Sequence, residues 1–325
     1  NDGQRGWRGE SLRMVERYFS EDDVLASMPI DRVIHSDVLA WVRRLLDRPL
    51  SPKTVKNAHT LLSGALKLAI RDGELDSNPA SGAAPRYESG SLGHALNQAE
   101  FATIVELMPE NYRLLITTLG RTGMRWGEVT ALQWKHAKLE AGPPFLDVKQ
   151  AWKETERRGH FVIGPPKTSR GKRRVYLDLG LVEQLQEHRP SGARPTDWIF
   201  QTEYGNPVRS NNFHYRIWRP RVVAAAAVGL LSFTPRIHDL RHAHATWLLE
   251  SGQPITRVAY RLGHDPAVLM GTYSHLLDSG AAETATAVSA MFEDVTPHEI
   301  PEGLDFPLPS QRRGRPRSDA TQGDS

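Results

Sequence analysis

The stretch HDLRHAHATWLL, residues 238–249, says most about the fold of this chain. Its apolar residues follow a helical pattern, yet His238 and Arg241 interrupt that pattern three residues apart, which places both on one helix face. A cationic and a titratable side chain in otherwise apolar surroundings are typical of a functional site. The stretch therefore predicts a helix that carries part of a site.

A second stretch, LGHDPAVLMGTYSHL at residues 262–276, contains His264 and, nine residues later, Tyr273. The helical pattern breaks and restarts between them. Two interpretations of Tyr273 stay open from this stretch alone, a half-buried aromatic residue or a nucleophile. His264 in turn fits either a polar site or the end of a helix after Gly263.

Two further stretches add basic groups. Arg125 lies in TGMRWGE directly after a glycine turn, where a surface ion pair with Glu128 is the alternative to a functional role. The segment KTSRGKRR, residues 167–174, holds five basic residues among eight and no acidic one. A solvated basic turn is one interpretation of this segment, in which Lys167 and Lys172 lie close together.

Composition narrows the classes of protein. The 325 residues are 39% hydrophobic, enough for ordinary cores, and a net charge of +3 agrees with a polyanionic partner as well as with none. The absence of cysteine excludes disulfides, thiolate metal sites and cysteine nucleophiles. The sequence has no apolar run of membrane-spanning length and no signal-peptide layout at its start. Because the first residue is not Met, we expect a fragment or a processed product.

Short helices are predicted for residues 1–82, which form a first domain. The clearest helix follows Ser51, a suitable N-cap, with Pro52 at its first position and Gly73 as its stop. Another is expected in MPIDRVIHSDVLAWVRRLL with Ser36 as its cap. Residues 83–96, rich in Gly, Ala, Pro and Ser, are interpreted as an interdomain linker.

A second domain is predicted for residues 97–295. LNQAEFATIVELM indicates a capped helix, and NYRLLITTLGRTGMRWGEVTALQW indicates two helices around a glycine turn. The runs PFLDVK, HFVIGPPK and RRVYLD are typical of short β-strands, and helices return after them. Residues 296–325, dominated by Pro, Gly and charge, are predicted to be a disordered basic tail.

Four stretches in this order resemble the tyrosine recombinase family, the integrases of phages and integrative elements. They are TGMRWGEVTALQW, PPKTSRGKRRVYL, HDLRHAHATWLLESG and LGHDPAVLMGTYSHL, and the resemblance covers residues from about 10 to 295. It implies a mainly α fold with a small antiparallel β-sheet, in which an α+β catalytic domain follows a helical, SAM-like core-binding domain. The two domains would form a C-shaped clamp on DNA. Integrases of this family often carry a further N-terminal domain for arm-type sites, which we do not recognise in this sequence.

The resemblance also implies a reaction, in which a tyrosine attacks a DNA phosphodiester and forms a 3′-phosphotyrosine. Negative charge then builds on the non-bridging oxygens, which guanidinium groups bind bidentately. The covalent intermediate conserves the energy of the broken bond, so no metal, ATP or other cofactor is expected. The resemblance implies that Arg125 and Arg241 form the phosphate clamp, that Tyr273 is the nucleophile, and that Lys167 on a β-hairpin donates a proton to the leaving 5′-oxygen. The PKT context favours Lys167 for this last role, with Lys172 on the same hairpin as the alternative. The implied roles of the histidines are a hydrogen bond from His264 to the phosphate and proton transfer near the nucleophile by His238.

The expected partner is double-stranded DNA carrying attachment or core sites. Phosphate contacts are expected from two basic groups of residues, one at a helix start and one in the basic segment. These candidates are Lys53 and Lys56, and Arg170, Lys172 and Arg173.

The family also implies an assembly and a setting. A homotetramer would pass through a Holliday junction while it integrates or excises a mobile element. A C-terminal helix would pack on a neighbouring protomer, and here Ala285, Val288, Met291 and Phe292 have helical spacing. An accessory directionality factor and a cytoplasmic, nucleoid-associated location in a bacterial host are expected, with no membrane contact.

Other classes of function stay open at this point. A type IB topoisomerase shares the mechanism, and a non-catalytic DNA-binding relative would keep the fold alone. His238, His242 and His244 lie close together in sequence, and the first two have a spacing common in metal sites, so a metal-dependent hydrolase is a third class. Of these, the recombinase explains both the arginines and the tyrosine. In the tail, RRGRPR resembles an AT-hook whose Arg313 and Arg315 would enter the minor groove, with a generic basic tail as the alternative.

Overall fold

The computed structural model describes residues 13–20, 23–86, 95–155, 159–166 and 168–277, without the side chains of residues 20, 23 and 274–277. The chain divides into a compact unit, Asn1–Leu276, and a second unit, Leu277–Ser325. All of the second unit except Leu277 lies outside the described residues. The predicted C-terminal helix, the tail with its AT-hook-like motif, and Lys167 therefore lie outside them as well.

The first helices of the compact unit pack around Trp41. After a π-helical turn at Glu16–Ser20, the elements are α1 at Asp23–Ala26, a 3-10 turn at Ile30–Arg32, α2 at His35–Leu46 and α3 at Pro52–Arg71. The Trp41 ring is fully buried, stacks on Phe19 with 4.8 Å between ring centroids, and donates from Nε1 to the carbonyl of Tyr18. Apolar burial and a directed hydrogen bond thus hold the first turn against α2.

Different side chains satisfy the backbone N–H groups at the N-termini of α2 and α3. Ser51 caps α3, because its Oγ accepts from the N–H of Thr54 at 3.2 Å, with Pro52 at the first position as predicted. Helix α2 begins at His35, and the Asp37 carboxylate accepts from the N–H of Ile34 at 3.1 Å. Since this carboxylate satisfies the donor at the helix start, Ser36 falls inside the first turn. The prediction of a Ser36 cap is wrong.

The later helices surround a large apolar core. They are α4 at Gln98–Leu107, α5 at Glu110–Thr122, α6 at Trp126–Val129, α7 at Leu179–His188, α8 at Ser210–Phe213, α9 at Arg219–Ala227, α10 at Asp239–Glu250, α11 at Ile255–Leu262 and α12 at Pro266–Leu277. The predicted cap of α4 is confirmed, because Asn97 and Glu100 each accept from the other's backbone N–H. Helix α10 packs against α5 and α11. The stretch that carries His238 and Arg241 therefore lies inside the helical assembly.

Five short strands form two antiparallel sheets. They are β1 at Ala137–Lys138, β2 at Phe145–Val148, β3 at Ala151–Glu154, β4 at Phe161–Gly164 and β5 at Arg173–Tyr176. One sheet has the order β1-β2-β5, and its cross-strand pair Leu146 and Val175 is fully buried against the helices. The other sheet pairs β3 with β4, and Val162 and Ile163 of β4 are exposed.

Strands β4 and β5 do not pair with each other, so the predicted β-hairpin between them is wrong. Strand β4 ends at Gly164 and pairs with β3, whereas β5 begins at Arg173 and pairs with β2. Residues 165–172 therefore connect one sheet to the other. Pro165 and Pro166 explain the break, because neither has an N–H to continue the β-ladder.

The mainly α fold with small antiparallel sheets confirms the predicted fold class. Apolar residues between Tyr18 and Ala83 form one buried cluster, and residues between Leu96 and Ala243 form a second. The boundaries at 1–82, 83–96, 97–295 and 296–325 stay predictions. Among the described residues, no helix combines the length and apolar character needed to cross a membrane.

Candidate functional site

Arg125 lies at the start of α6, directly after a left-handed turn at Gly123. Gly123 has a φ of 64°, and a Cβ at this position would lie 2.5 Å from Cδ2 of His244, so no larger residue fits. Nη1 of Arg125 donates to Oε1 of Glu128 at 2.9 Å, while the side chain is 39% exposed. The guanidinium is thus oriented from one side and accessible to a ligand from the other.

Glu128 holds a second arginine, Arg173, inside the protein. Nη2 of Arg173 donates to Oε2 of Glu128 at 2.9 Å, and the two side chains are 1% and 2% exposed. Arg173 also donates to the carbonyls of Arg261 at 2.6 Å and Gly171 at 3.0 Å. Burial alone would raise the pKa of Glu128, but hydrogen bonds and charge from Arg173 and Arg125 lower it overall. Glu128 is therefore an ionised anchor for both arginines.

Arg241 is buried on α10 and faces backbone carbonyls. Its Nη1 donates to the Gly123 carbonyl at 2.6 Å and its Nη2 to the Leu262 carbonyl at 2.7 Å, whereas the buried Nε has no partner among the described residues. Burial and the charge of Arg125 lower the pKa of Arg241 to about 9, so the group stays cationic at neutral pH. In the described part of the chain, no carboxylate forms an ion pair with it.

His264 follows the left-handed residue Gly263, which ends α11. Its backbone N–H donates to the Ala259 carbonyl at 2.9 Å, as expected for a helix end. The buried Nδ1 of its ring has no partner among the described residues. Burial and then the charges of Arg241 and Arg125 lower the pKa of His264 to about 4. The ring is therefore neutral at neutral pH and has an unused polar atom.

His238 is the residue that precedes α10, and it is exposed. The surrounding protein lowers its pKa, by burial first and then through His242 and Arg241. His238 is thus neutral at neutral pH at the entrance of the site.

Tyr273 is 3% exposed and packs in a small apolar cluster with α11. Its Oη lies 3.0 Å from Nδ1 of His242 and 3.4 Å from the His242 carbonyl oxygen. Burial raises the pKa of Tyr273 to about 12, although the charge of Arg241 acts in the opposite direction. The phenol that the sequence singled out is therefore protonated at neutral pH and is held by His242, whereas the sequence had placed His238 beside it.

These groups form one positively charged recess, which we call the arginine recess and define by Arg125, Arg241, His238 and His264. Arg241 donates to the carbonyls of Gly123 and Leu262, which precede Arg125 and His264 by two residues each. The charges of Arg241 and Arg125 also lower the pKa of both histidines. A buried cation without a carboxylate is costly, and an unpaired buried N–H adds to that cost. An anion bound in the recess would satisfy both, so the recess is suited to an oxyanion such as a phosphate diester.

His244 belongs to the support of the recess. Its Nδ1 lies 2.8 Å from the Gly120 carbonyl, and its Nε2 accepts from Nε of Arg261 at 2.9 Å. Arg261 also donates from its two Nη atoms to the carbonyls of Tyr176 and Arg121. His244 thus points away from His242, and the described residues contain no group of three or more His, Asp or Glu side chains arranged to hold a metal ion.

The basic residues that were expected to contact DNA differ in their exposure. Lys53 and Lys56 are exposed on the first turn of α3, and Lys172 is exposed before β5. Arg170 is also exposed and forms an ion pair with Asp265. Arg173 differs, because its side chain is buried in the pair with Glu128, so its expected phosphate contact is wrong.

Three features of the site were not predicted from the sequence. Glu128 was considered only as a surface partner of Arg125, and its spacing of three residues did signal the contact but not the burial. The Glu128–Arg173 pair spans 45 residues, which no local pattern reports. His242 was considered only as a metal ligand, and its contact with Tyr273 across 31 residues depends on how α12 packs on α10.

Comparison with known proteins adds independent evidence. A family model described as "Phage integrase family" matches residues 94–279. The ICEBs1 integrase of Bacillus subtilis is 26% identical over 286 residues, which covers 83% of this chain and 73% of that protein. The prophage integrase IntR of Escherichia coli is 26% identical over 282 residues, covering 76% of this chain and 66% of that protein.

A solved structure shares the fold at low sequence identity. The Tn1549 transposon integrase in complex with transposon right-end DNA superposes with a TM-score of 0.72 at 21% identity, covering 89% of this chain and 96% of that one. A lambda integrase tetramer bound to a Holliday junction gives a TM-score of 0.52 at 20% identity, covering 82% of this chain and 73% of that one.

Proposed function

Because this chain belongs to the phage integrase family of tyrosine recombinases, we propose that it cuts and rejoins DNA strands through a 3′-phosphotyrosine formed on Tyr273. The reaction would integrate or excise a phage or another mobile element at a specific site. The family membership rests on the match over residues 94–279, and the residue roles rest on the geometry of the arginine recess.

The observation that carries the proposal is that the buried Arg241 has no carboxylate partner among the described residues. Arg241 is 3% exposed and has a buried Nε without a partner among the described residues, and its charge acts on His264, whose buried Nδ1 has no partner there either. A scissile phosphate would accept from Arg241 and Arg125 and would receive a further hydrogen bond from His264. These donors stabilise the charge that develops on the non-bridging oxygens during attack, which is often the largest catalytic contribution.

Tyr273 would supply the nucleophile. Its Oη attacks the phosphorus, a bond forms between Oη and phosphorus, and the bond from phosphorus to the 5′-oxygen breaks. We assign protonation of that 5′-oxygen to Lys167, which lies in the connection between β4 and β5. Religation reverses these steps with a 5′-hydroxyl of the partner strand. Cleavage and religation conserve the number of phosphate ester bonds, so neither step requires hydrolysis of a high-energy cofactor.

Double-stranded DNA would approach from the side that exposes the arginine recess. Lys53 and Lys56 are candidates for backbone contacts because both are exposed at the N-terminus of α3, and Arg170 and Lys172 are candidates in the basic segment. Such contacts position the duplex without reading its sequence. Their number sets the salt dependence of binding.

We extend the proposal to an assembly of four protomers on two duplexes. The support is the lambda integrase structure, which is a tetramer bound to a Holliday junction and shares this fold. The residues proposed to pack on the neighbouring protomer, Ala285, Val288, Met291 and Phe292, lie outside the described residues. An accessory directionality factor and action on the bacterial nucleoid belong to the same proposal.

Covalent trapping tests the proposed chemistry. A duplex that spans the attachment site of the mobile element is nicked near the cleavage position, so that religation is lost, and adducts are resolved on a denaturing gel in EDTA. Wild type and Tyr260→Phe, a control at an exposed tyrosine, are expected to form the adduct, whereas Tyr273→Phe forms none. An adduct with Tyr273→Phe would overturn the assignment of the nucleophile. Relaxation of supercoiled plasmids without that site would favour a type IB topoisomerase instead.

A further inference from the structure

We propose that His242 is the base that takes the proton from Tyr273 during strand cleavage. The inference rests on the proposed function, because it takes Tyr273 as the nucleophile. It differs from the role suggested by the sequence, in which His238 assists proton transfer at the tyrosine.

The position of the phenol carries this assignment. Among the described residues, the Oη of Tyr273 has hydrogen-bond partners on His242 alone, at 3.0 Å from Nδ1 and 3.4 Å from the carbonyl oxygen. The shorter contact is within the range of an O–H···N hydrogen bond, and a base must lie within about 3.2 Å of the proton that it removes. His242 therefore meets the geometric requirement before DNA binds.

His238, the other histidine near the site, does not have the contact with Tyr273 that His242 has. His238 and His242 lie one helical turn apart, with ring centroids 4.9 Å apart and planes at 88°. The edge of one ring thus faces the other, and Tyr273 lies against His242 with 6.4 Å between ring centroids. His238 is exposed, which leaves it suited to the phosphate or the DNA rather than to the phenol.

The charged surroundings keep His242 able to accept a proton. Burial lowers its pKa first, the Asp239 carboxylate acts in the opposite direction, and Arg236 and Arg241 lower it further. The groups that face it are these three, the His238 ring on the same helix, and Tyr273 from α12. The imidazole is consequently neutral at neutral pH, while burial keeps Tyr273 protonated, with its pKa raised to about 12.

The step balances without another reactant. As Oη attacks phosphorus, its proton moves to Nδ1 of His242, the bond to the 5′-oxygen breaks, and the leaving oxygen takes a proton from Lys167. On religation, the 5′-hydroxyl attacks the phosphotyrosine, and the phenol leaves and regains its proton from the His242 imidazolium. One residue thus acts as base in cleavage and as acid in religation, as microscopic reversibility requires.

The pH dependence of single-turnover cleavage tests the assignment on the nicked attachment-site duplex. Wild type is expected to cleave more slowly as pH falls through the His242 pKa, because an imidazolium cannot accept the proton. His242→Gln keeps a hydrogen-bonding group but cannot titrate, so it should cleave about 10²- to 10³-fold more slowly at pH 7 and lose that inflection. His238→Gln, the matched comparison, should retain the inflection even where its overall rate is lower.

Chemical rescue provides a second measurement. His242→Ala opens space beside Tyr273, and added imidazole is expected to restore adduct formation in a saturable manner, while the same imidazole does not restore His238→Ala. Retention of the inflection by His242→Gln, or rescue confined to His238→Ala, would overturn the assignment of His242. Wild-type protein that forms no adduct, or Tyr273→Phe that forms one, would instead contradict the proposed function itself.

Discussion

The carboxylate of Glu128 and the guanidinium of Arg173 form an ion pair with 2.9 Å between Oε2 and Nη2, where neither side chain is more than 2% exposed. The pair connects α6, which Arg125 precedes, to β5, which follows the segment that contains Lys167. Because Glu128 also accepts from Arg125, the position of the exposed guanidinium depends on a contact in the interior.

Arg173→Met is therefore expected to destabilise the fold strongly. The substitution leaves the buried Glu128 with Arg125 as its remaining charged partner, and loss of one partner of a buried pair costs about 3–5 kcal/mol. The double variant Arg173→Met/Glu128→Gln should recover part of that loss, because no buried charge then remains. Urea unfolding measures both free energies. A double variant that loses the sum of the two single effects would show that the pair is not coupled.

An exposed ion pair supplies the control for the comparison of the Arg173 and Glu128 variants. Arg194 and Asp197 pair at 2.9 Å on the surface, where solvent screens the interaction. Arg194→Met should leave the free energy of unfolding almost unchanged and should not alter adduct formation. A loss comparable to that of Arg173→Met would mean that the assay reports general changes in charge rather than this buried contact.

Gly263→Ala is expected to damage both the fold and the site. Gly263 has a φ of 67°, and a Cβ would lie 2.9 Å from the Arg170 carbonyl and 3.0 Å from Nη1 of Arg173. Left-handed backbone costs a non-glycine residue about 1–2 kcal/mol, and the close contacts add about 1–3 kcal/mol. His264 follows directly, so adduct formation should fall as well.

Gly252→Ala separates the two contributions. Gly252 has a φ of 78° but no atom within 4 Å of the added Cβ, so this variant carries the backbone cost without the close contacts. Unfolding free energies of the two variants should differ by about 1–3 kcal/mol. Equal losses would show that the backbone conformation alone makes glycine necessary at both positions.

Local patterns in the sequence predicted what depends on neighbouring residues. The Ser51 cap, the capped start of α4, strands β2 and β5 and the glycine turn before Arg125 are confirmed, because each follows from a few adjacent side chains. The Ser36 cap failed, since Asp37 competes for the same helix terminus. The hairpin at Lys167 failed for another reason, because strand pairing is decided across the sheet rather than by the turn between two strands.

The recess itself was predicted in part. The resemblance singled out Arg125, Arg241 and His264, and the structure brings them together, but their roles stay proposals. The buried position of Arg173 was not foreseen, because a run of basic residues indicates a solvated surface, and only the tertiary fold shows which of them meets Glu128. The partner of Tyr273 was missed for the same reason, since α10 and α12 meet only after folding.

Lys167 and Lys172 should be distinguished by a sulfur substitution in the DNA. Lys167→Ala is expected to slow cleavage of ordinary DNA by about 10²- to 10⁴-fold, because the leaving 5′-oxygen then lacks its acid. A bridging 5′-sulfur is a better leaving group that needs no proton, so it should restore the rate of this variant. Lys172→Ala should weaken DNA binding and reduce the salt slope by about one unit, without a selective effect of sulfur. The reverse pattern would move the acid to Lys172.

The free energy of unfolding should depend on pH through the titration of His244. Burial and then Arg261 lower its pKa to about 3, against an ordinary value of 6.5. Between these values the unfolded chain binds a proton that the folded chain does not, so stability is fully present above pH 6.5 and falls as pH decreases. The slope from one such histidine is about 1.4 kcal/mol per pH unit.

His244→Asn should flatten this slope, because Asn can still donate to the Gly120 carbonyl but does not titrate. It is expected to lose stability at pH 7.5, where the contact with Arg261 is weakened, and to lose less than wild type between pH 6.5 and 4.5. His160→Asn, at an exposed position beside β4, is the matched control and should keep the wild-type slope. Urea unfolding at four pH values gives the comparison. An unchanged slope in His244→Asn would mean that other buried histidines, among them His264, account for the acid sensitivity.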